Sequence, residues 1–166
     1  MNINLTTLSF ENYEEVLELK PMDNQRTFVE DWATILAFAY IGVVNGLDGE
    51  LCIITCDDKP VGRVLIGKIE VEPQEPEVLQ KYGQVWRVMG FFIDGKWQGK
   101  GIGSAALKLI LNKISSFPDE KKYPIALEVE DANENAKQLY QKMGFYDTGV
   151  RYGESCVYVK LPEVLL

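Results

Sequence analysis

The sequence contains no histidine among its 166 residues. Catalytic sites of the Ser-His-Asp or Cys-His kind are therefore excluded, and so are zinc sites that use imidazole ligands. Proton transfer by this chain must use carboxylates, tyrosines, cysteines, lysines or water.

Positive charge is also scarce. The chain has 17 Lys and Arg residues against 25 Asp and Glu residues, which gives a formal net charge of −8. Surfaces that bind nucleic acid are positively charged, so this balance argues against a nucleic-acid partner. It favours a partner that is cationic or neutral.

Cysteine is sparse as well. Cys52, Cys56 and Cys156 are an odd number, lie in apolar segments typical of strands, and have no metal-ligand spacing. This predicts buried free thiols in a reducing compartment and no metal site. The first residues lack the basic and apolar regions of a signal peptide, and no apolar run approaches the ~18–20 residues of a membrane span. We therefore expect a cytoplasmic protein that does not contact membranes.

The length of the chain suits one domain, residues 1–166, with a core large enough to need no cross-links. Alternating and β-branched apolar residues predict strands at 3–8, 51–55, 61–71, 85–93, 123–130, 145–149 and 155–161. Apolar residues at three- and four-residue intervals predict helices at 9–19, 26–41, 104–116 and 133–143. This order, with hairpins first and then strand-helix-strand-helix, indicates an α/β fold.

A glycine-rich turn links the strand at 85–93 to the helix that follows it. Gly99, Gly101 and Gly103 alternate along the chain, and Lys100 lies between the first two. Glycines allow a sharp bend and leave main-chain N–H groups pointing into one concavity, while the start of a helix adds free donors and a positive dipole end. The segment predicts a cradle for a diphosphate.

Two nucleotide-binding templates fail on this loop. A P-loop needs a Gly five positions before the Gly-Lys pair and a Ser or Thr after it, whereas Lys100 is followed by Gly101. The dinucleotide fingerprint needs Gly-x-Gly-x-x-Gly, whereas the third glycine here comes one residue too early. The ligand is therefore not predicted to be one of those nucleotides.

A second informative segment is the helix at 133–143. Asn133 and Tyr140 are seven residues apart, so they lie on one face two turns apart, with Ala136 between them. A small residue between two polar ones suits a ligand arm that lies along the helix. Equally, Asn133 could serve only as the N-cap and Tyr140 only as a core aromatic residue.

Together these segments resemble the GNAT superfamily of N-acetyltransferases. The acyl-CoA signature of that family is Gln or Arg, two residues, Gly, one residue, then Gly or Ala, and residues 98–103 match it at every defined position. The second family segment is matched by Asn133, Ala136, Leu139-Tyr140 and Gly144-Phe145. The resemblance implies the GNAT fold: a mixed, mostly antiparallel sheet of about six or seven strands with a splayed parallel pair, flanked by about four helices.

The resemblance also implies acetyl-CoA as co-substrate, direct attack by an amine in a ternary complex, and no metal. The residues that it implies for acetyl-CoA binding are Phe91, Phe92, Ile93, Gln98, Gly99, Lys100, Gly101, Ile102, Gly103, Ser104, Asn133, Ala136 and Tyr140. The main-chain N–H of Ile93 would polarise the thioester carbonyl, and Tyr140 would protonate the departing thiolate.

The general base is predicted from position. An alkyl ammonium group with a pKa of ~10.4 must lose a proton before attack. Polyamine-acetylating relatives can carry acidic residues just ahead of the Phe-Phe pair, where this chain has Met89 and Gly90. Glu128 is our predicted base. The other candidates are Glu130, Glu70 and Glu72.

The acceptor is predicted from a further resemblance. Residues 19–30, and Phe91-Phe92-Ile93-Asp94 before the loop, are similar to bacterial spermine/spermidine acetyltransferases. This implies a small cationic amine, a polyamine or diamine. From their position near the start of the second helix we expect Glu30 and Trp32 to face it, with a solvated helix surface as the alternative. Aminoglycosides, amino acids, protein N-termini or lysines remain alternative acceptors, and a non-catalytic acyl-CoA-binding regulator remains an alternative function. Residues 161–166 could serve a homodimer or belong to a simple edge strand.

Overall fold

The computed structural model describes residues 1–119 and 122–163. Within these residues seven strands form one mixed sheet: β1 (Ile3–Thr7), β2 (Gly49–Cys56), β3 (Lys59–Glu70), β4 (Gln84–Ile93), β5 (Ile125–Glu130), β6 (Tyr146–Tyr152) and β7 (Ser155–Lys160). Their order across the sheet is β1-β2-β3-β4-β5-β7-β6, and only β4 and β5 are parallel. The predicted fold class is confirmed.

The same part of the chain contains five α-helices: α1 (Tyr13–Leu17), α2 (Trp32–Val44), α3 (Glu77–Gln80), α4 (Ile102–Ser116) and α5 (Glu134–Lys142). Short 3-10 helices occupy Asp23–Phe28 and Gly95–Trp97. About four helices were expected. The additional one, α3, is a single turn that begins after Pro76, where proline already fixes the backbone at the N-cap.

The predictions for the N-terminal helices were wrong in extent. The helix expected at 9–19 is confined to α1, of which only Val16 is buried. The helix expected at 26–41 is interrupted, because Val29 is extended and Asp31 caps a new helix with its side chain, which accepts a hydrogen bond from the Thr34 N–H at 2.8 Å. The amphipathic pattern also failed: α2 is apolar on all sides, and only Ile35 is buried.

This stretch also corrects the expectation about apolar runs. Residues Asp23–Val44 are 22 residues long and, by length and composition, apolar enough to cross a membrane. Their α-helical part, the 13 residues of α2, extends only about 20 Å, against roughly 30 Å of hydrocarbon. The notable property of α2 is therefore its exposure: Tyr40 and Val43 are 71% and 78% exposed.

Strands β4 and β5 separate after a short paired section. Only Trp86 and Arg87 of β4 face partners in β5, namely Ile125 and Ala126. The register between β3 and β4 then shifts opposite Arg63–Leu65, where Gly90 takes a positive φ of 56°. A bulge of this kind bends its strand away from its neighbour. The result is a gap between the C-terminal halves of β4 and β5.

The main core lies between the sheet and helices α4 and α5. It includes Leu107, Ile110 and Ile114 of α4 and Tyr140 of α5. All three cysteines are buried and free, as predicted. Leu161 to Glu163 carry no regular structure, and the remainder of the proposed dimer tail, residues 164–166, lies outside the described residues.

Candidate active site

The glycine loop has the geometry of an anion cradle. Gly99 and Gly101 have positive φ angles of 74° and 77°, which other residues adopt at a cost. Gly101 is the N-cap of α4 and offers no side chain to the first N–H groups of the helix. Those N–H groups have no acceptor within the helix, so they are available to the oxygens of a diphosphate. The side chain of Ile102 is in the core, so only its main chain can contribute.

Side chains anchor this loop to the N-terminal segment. The Gln98 amide donates to the Ile93 carbonyl at 2.8 Å and to the Gln25 side chain at 2.7 Å. The buried Asp94 carboxylate accepts from the N–H groups of Lys20 and Lys96 at 3.0 and 2.9 Å. Gln98 therefore holds the loop in place through its side chain, and the 3-10 helix Asp23–Phe28 is fixed beside it.

The main chain of β4 presents a free donor to the gap. The Asp94 N–H bonds to the Val61 carbonyl of β3 at 2.8 Å. Because N–H groups alternate between the two edges of a strand, the Ile93 N–H points to the opposite edge, toward β5. The strands no longer pair there, so this donor is directed at the position expected for a thioester carbonyl.

A cavity of about 350 Å³ occupies the gap. Its wall brings together six predicted residues, Glu30, Phe91, Glu128, Asn133, Ala136 and Tyr140, with the alternative bases Glu72 and Glu130. Other predicted residues lie elsewhere. Phe92 packs its ring against Arg63, and Lys100 is exposed and donates to the Lys96 carbonyl. The cavity therefore brings the α5 segment together with β4 and β5, whereas none of the loop residues 98–104 lines it.

Tyr140 is held in a defined orientation. It is 7% exposed, and its ring packs edge-on against Phe145 with centroids 5.8 Å apart. Burial, with a smaller effect of the Glu30 charge, raises the pKa of the Tyr140 phenol well above its usual value. The phenol keeps its proton at neutral pH, as a proton donor requires.

Glu128 is exposed to solvent on one side and partly buried by the cavity wall that it lines. This partial burial raises the pKa of its carboxyl, Arg87 opposes the shift, and Glu30 adds to it. Arg87 is itself buried and forms an ion pair with the buried Glu75. A carboxylate with a raised pKa is a better proton acceptor near neutral pH than an ordinary glutamate.

The remaining predicted residues have structural contacts. Asn133 caps α5, since its side-chain oxygen accepts from the Ala136 N–H at 3.2 Å. The Trp32 ring does not line the cavity; the Arg63 guanidinium lies 4.4 Å from its centroid. Arg63 also donates to the Glu30 carbonyl, which holds the main chain just before α2 in place. Glu70 lies at the exposed end of β3.

Comparison with known families identifies the family to which this chain belongs. The model of the acetyltransferase (GNAT) family matches residues 8–145, which contain the glycine loop, both splayed strands and α5. The chain belongs to the GNAT family. It is therefore an acetyl-CoA-dependent N-acetyltransferase, and the resemblance seen in the sequence is confirmed.

Among curated GNAT relatives, the chain is 29% identical over 154 residues to a spermine/spermidine N(1)-acetyltransferase of Bacillus subtilis strain 168, covering 90% of this chain and 91% of that protein. A probable spermine N(1)-acetyltransferase of Bacillus subtilis subsp. natto matches with the same identity and coverage.

Solved GNAT structures share the fold. NAA60 of Arabidopsis thaliana in complex with a bisubstrate analogue superposes with a TM-score of 0.68 at 17% identity, covering 98% of this chain and 100% of that one. The PaiA N-acetyltransferase of Thermoplasma acidophilum in complex with coenzyme A gives 0.61 at 15% identity, with the same coverage.

We did not predict the Arg87–Glu75 ion pair from the sequence. A charged residue inside the apolar strand Val85-Trp86-Arg87-Val88 is a signal of a buried ion pair or a functional site. Its partner could not be found in the same way, because Glu75 lies in a proline-flanked loop that reaches β4 only in three dimensions.

Proposed function

We propose that the protein acetylates a primary amine of a small cationic molecule, with spermidine and spermine as the first candidates. The observation that carries the proposal is that Tyr140 and Glu128 line one cavity, in the gap where β4 and β5 no longer pair. The polyamine acceptor is supported by the named activity of the Bacillus relatives and by the acidic cavity wall.

The residues divide the reaction between them. Glu30 and Glu72 attract the ammonium group, and Glu128 takes its proton directly or through water. The resulting amine attacks the thioester carbonyl of acetyl-CoA, and the Ile93 N–H stabilises the negative charge that develops on the oxygen. The carbon–sulfur bond then breaks, and Tyr140 donates its proton to the departing sulfur. The second proton of the attacking nitrogen returns to the Tyr140 phenolate through water, which restores the phenol. The products are the acetylated amine and CoA.

The test is an acceptor screen with purified protein and acetyl-CoA. Release of CoA is followed with a thiol reagent, and the products are identified by mass spectrometry. The panel contains spermidine, spermine, 1,3-diaminopropane, an aminoglycoside, amino acids and short peptides. We expect acetylation of polyamines and diamines at one primary amine. Exclusive turnover of peptides would contradict the small-molecule proposal, and absence of turnover across the panel would reject it altogether.

A further inference from the structure

A second, larger chamber adjoins the catalytic cavity. It measures about 800 Å³ and lies between α2 and the sheet face formed by β2, β3 and the start of the β4 bulge. Its walls are mainly apolar, with Phe38 and Ile41 from the helix and Leu51, Leu65 and Met89 from the strands. A chamber of this size and composition is typical of small-molecule sites.

The two cavities are continuous in their walls. Phe38, Ile69, Glu72 and Met89 line both of them. A molecule whose amine lies beside Glu128 therefore has the apolar chamber directly next to it. Met89 stands at this junction.

The charges at the chamber favour an occupant with an ammonium group at one end only. Asp48 is paired with Lys68 at 2.7 Å, and Glu50 is paired with Lys113 at 2.7 Å. Glu72 makes no ion pair with any residue that the structure describes, and it lies where the two cavities meet. Its charge acts on Arg87 without direct pairing, so the acidic group with no ion-pair partner among the described residues is at the junction, and the rest of the chamber offers apolar contact.

The fold leaves this apolar surface uncovered. Phe38, Ile41 and Leu47 are 46%, 52% and 45% exposed, although each lines the chamber. An exposed apolar patch of this kind beside a polar rim marks a ligand groove or an interface. The shared wall with the catalytic cavity favours the ligand.

We propose that the chamber is the second half of the acceptor site and binds a bulky apolar substituent of the amine. The acceptor class is then an amphiphilic amine, with a cationic aminopropyl-like end at Glu128 and Glu72 and an alkyl or aryl group against α2. This rests on the proposed amine acetylation and narrows its substrate.

A matched series of acceptors tests the proposal. N-methyl-, N-butyl- and N-octyl-1,3-diaminopropane share the same primary amine and charge and differ only in apolar length. Each buried methylene is worth about fourfold in kcat/KM, so burial of only two of them gives about a fifteenfold gain. We expect kcat/KM to rise at least tenfold from the N-methyl to the N-octyl compound, and N-octyl-1,3-diaminopropane to exceed spermidine.

Substitutions in the chamber wall test whether the gain in kcat/KM for the N-octyl compound comes from binding in the chamber. A Cβ at Gly67 would meet only Met89 Cε, at 3.8 Å, so the first carbon of the new side chain in Gly67→Val fits on the chamber side of β3. We expect it to remove the N-octyl advantage while kcat/KM for the N-methyl compound stays unchanged. Ala39→Leu narrows the chamber from α2 and serves if Gly67→Val fails to fold. Val44→Leu adds the same kind of bulk on the outside of α2, where Val44 is 63% exposed, and should retain the advantage.

The outcomes separate the two proposals. Equal kcat/KM across the series, with good turnover, overturns the chamber proposal and leaves amine acetylation standing. No turnover, with calorimetric binding of the N-octyl compound that Gly67→Val abolishes, rejects the function but supports the chamber. If the N-octyl gain is absent and sedimentation shows a dimer that Ala39→Leu dissociates, the chamber is an interface between copies and the proposal is wrong.

Discussion

At the scale of single residues, the candidate site depends on two side chains whose ordinary pKa values are shifted in the same direction by burial. The shift keeps the Tyr140 phenol protonated and makes the Glu128 carboxylate a stronger base. An acid and a base on one cavity wall can serve the two proton transfers that amine acetylation requires.

Tyr140→Phe tests the general acid. The variant keeps the ring packing against Phe145 but loses the proton donor, so we expect kcat to fall about 10²-fold with little change in the KM for acetyl-CoA. Steady-state CoA release measures both constants. Tyr146→Phe, at an exposed position on β6, is the matched control and should behave as wild type. An unchanged kcat in Tyr140→Phe contradicts the assigned role.

Glu128→Gln tests the general base through its pH dependence. Burial raises the pKa of Glu128 above the usual 4.5, so the base becomes protonated, and loses its function, at a higher pH than an ordinary glutamate as the pH falls. We expect kcat/KM to drop about 10²-fold in the variant near pH 8. The ratio of wild type to variant should shrink toward acidic pH.

Dividing kcat/KM of the wild type by kcat/KM of Glu128→Gln at each pH cancels the titration of the acceptor amine, because both enzymes use the same amine. Glu130→Gln is the control, because Glu130 lines the same cavity and follows Glu128 by two residues on the same face of β5. A ratio that stays constant from about pH 5 to 9 shows that Glu128 is not the base. A larger loss in Glu130→Gln would transfer the role to that residue.

At the scale of elements, the loop and the start of α4 act together. The loop needs glycine where φ is positive, at Gly99 and Gly101, whereas Gly103 is already inside the helix. The two later glycines should therefore respond differently to the same substitution.

Gly101→Ala places a methyl group at a left-handed position, which costs about 1–2 kcal/mol. A Cβ there meets no other atom within 4 Å, so the strain falls on the backbone of the loop that presents the N–H groups of α4. We expect the dissociation constant of CoA to rise at least tenfold by calorimetry, a change of about 1.4 kcal/mol. Gly103→Ala adds a Cβ that meets only Leu139 and Ile93 at 3.8 and 3.9 Å, ordinary contacts, and should retain affinity. Equal loss in both variants would show that the helix start, and not the positive φ, controls binding.

At the scale of the whole molecule, net charge influences which acceptors arrive. A formal charge of −8 attracts polycations, and salt screens this attraction as the Debye length falls from about 10 Å at 0.1 M to 3 Å at 1 M. We expect kcat/KM to fall with added NaCl by about threefold or more for spermine, less for spermidine and least for a monoamine. Initial rates at low acceptor concentration measure this order. An identical salt dependence for all three would show that the global charge does not steer the acceptor.

The sequence by itself determined the donor side of the site. The loop at 98–104 and the face of α5 depend on main-chain conformation and on residues three to seven positions apart, so their spacing predicted a diphosphate cradle and a helix face suited to a ligand. The resemblance to the GNAT family implied acetyl-CoA, and the family match confirmed that resemblance. The strands were also predictable, since alternation follows from one-sided burial. The extent of the helix at 26–41 was not predictable, because apolar residues lie on every side of α2. In addition, Asp31 caps a new helix inside the predicted range.

Only the tertiary structure shows the two cavities that we propose for the acceptor. The gap between β4 and β5 arises where Gly90 bends one strand, and a Cβ there would lie 2.5 Å from Ile35 and 2.6 Å from Arg63. The Arg87–Glu75 pair and the apolar chamber under α2 join segments distant in the chain. Such contacts depend on strand register and on how a helix seats on the sheet, which local spacing does not encode.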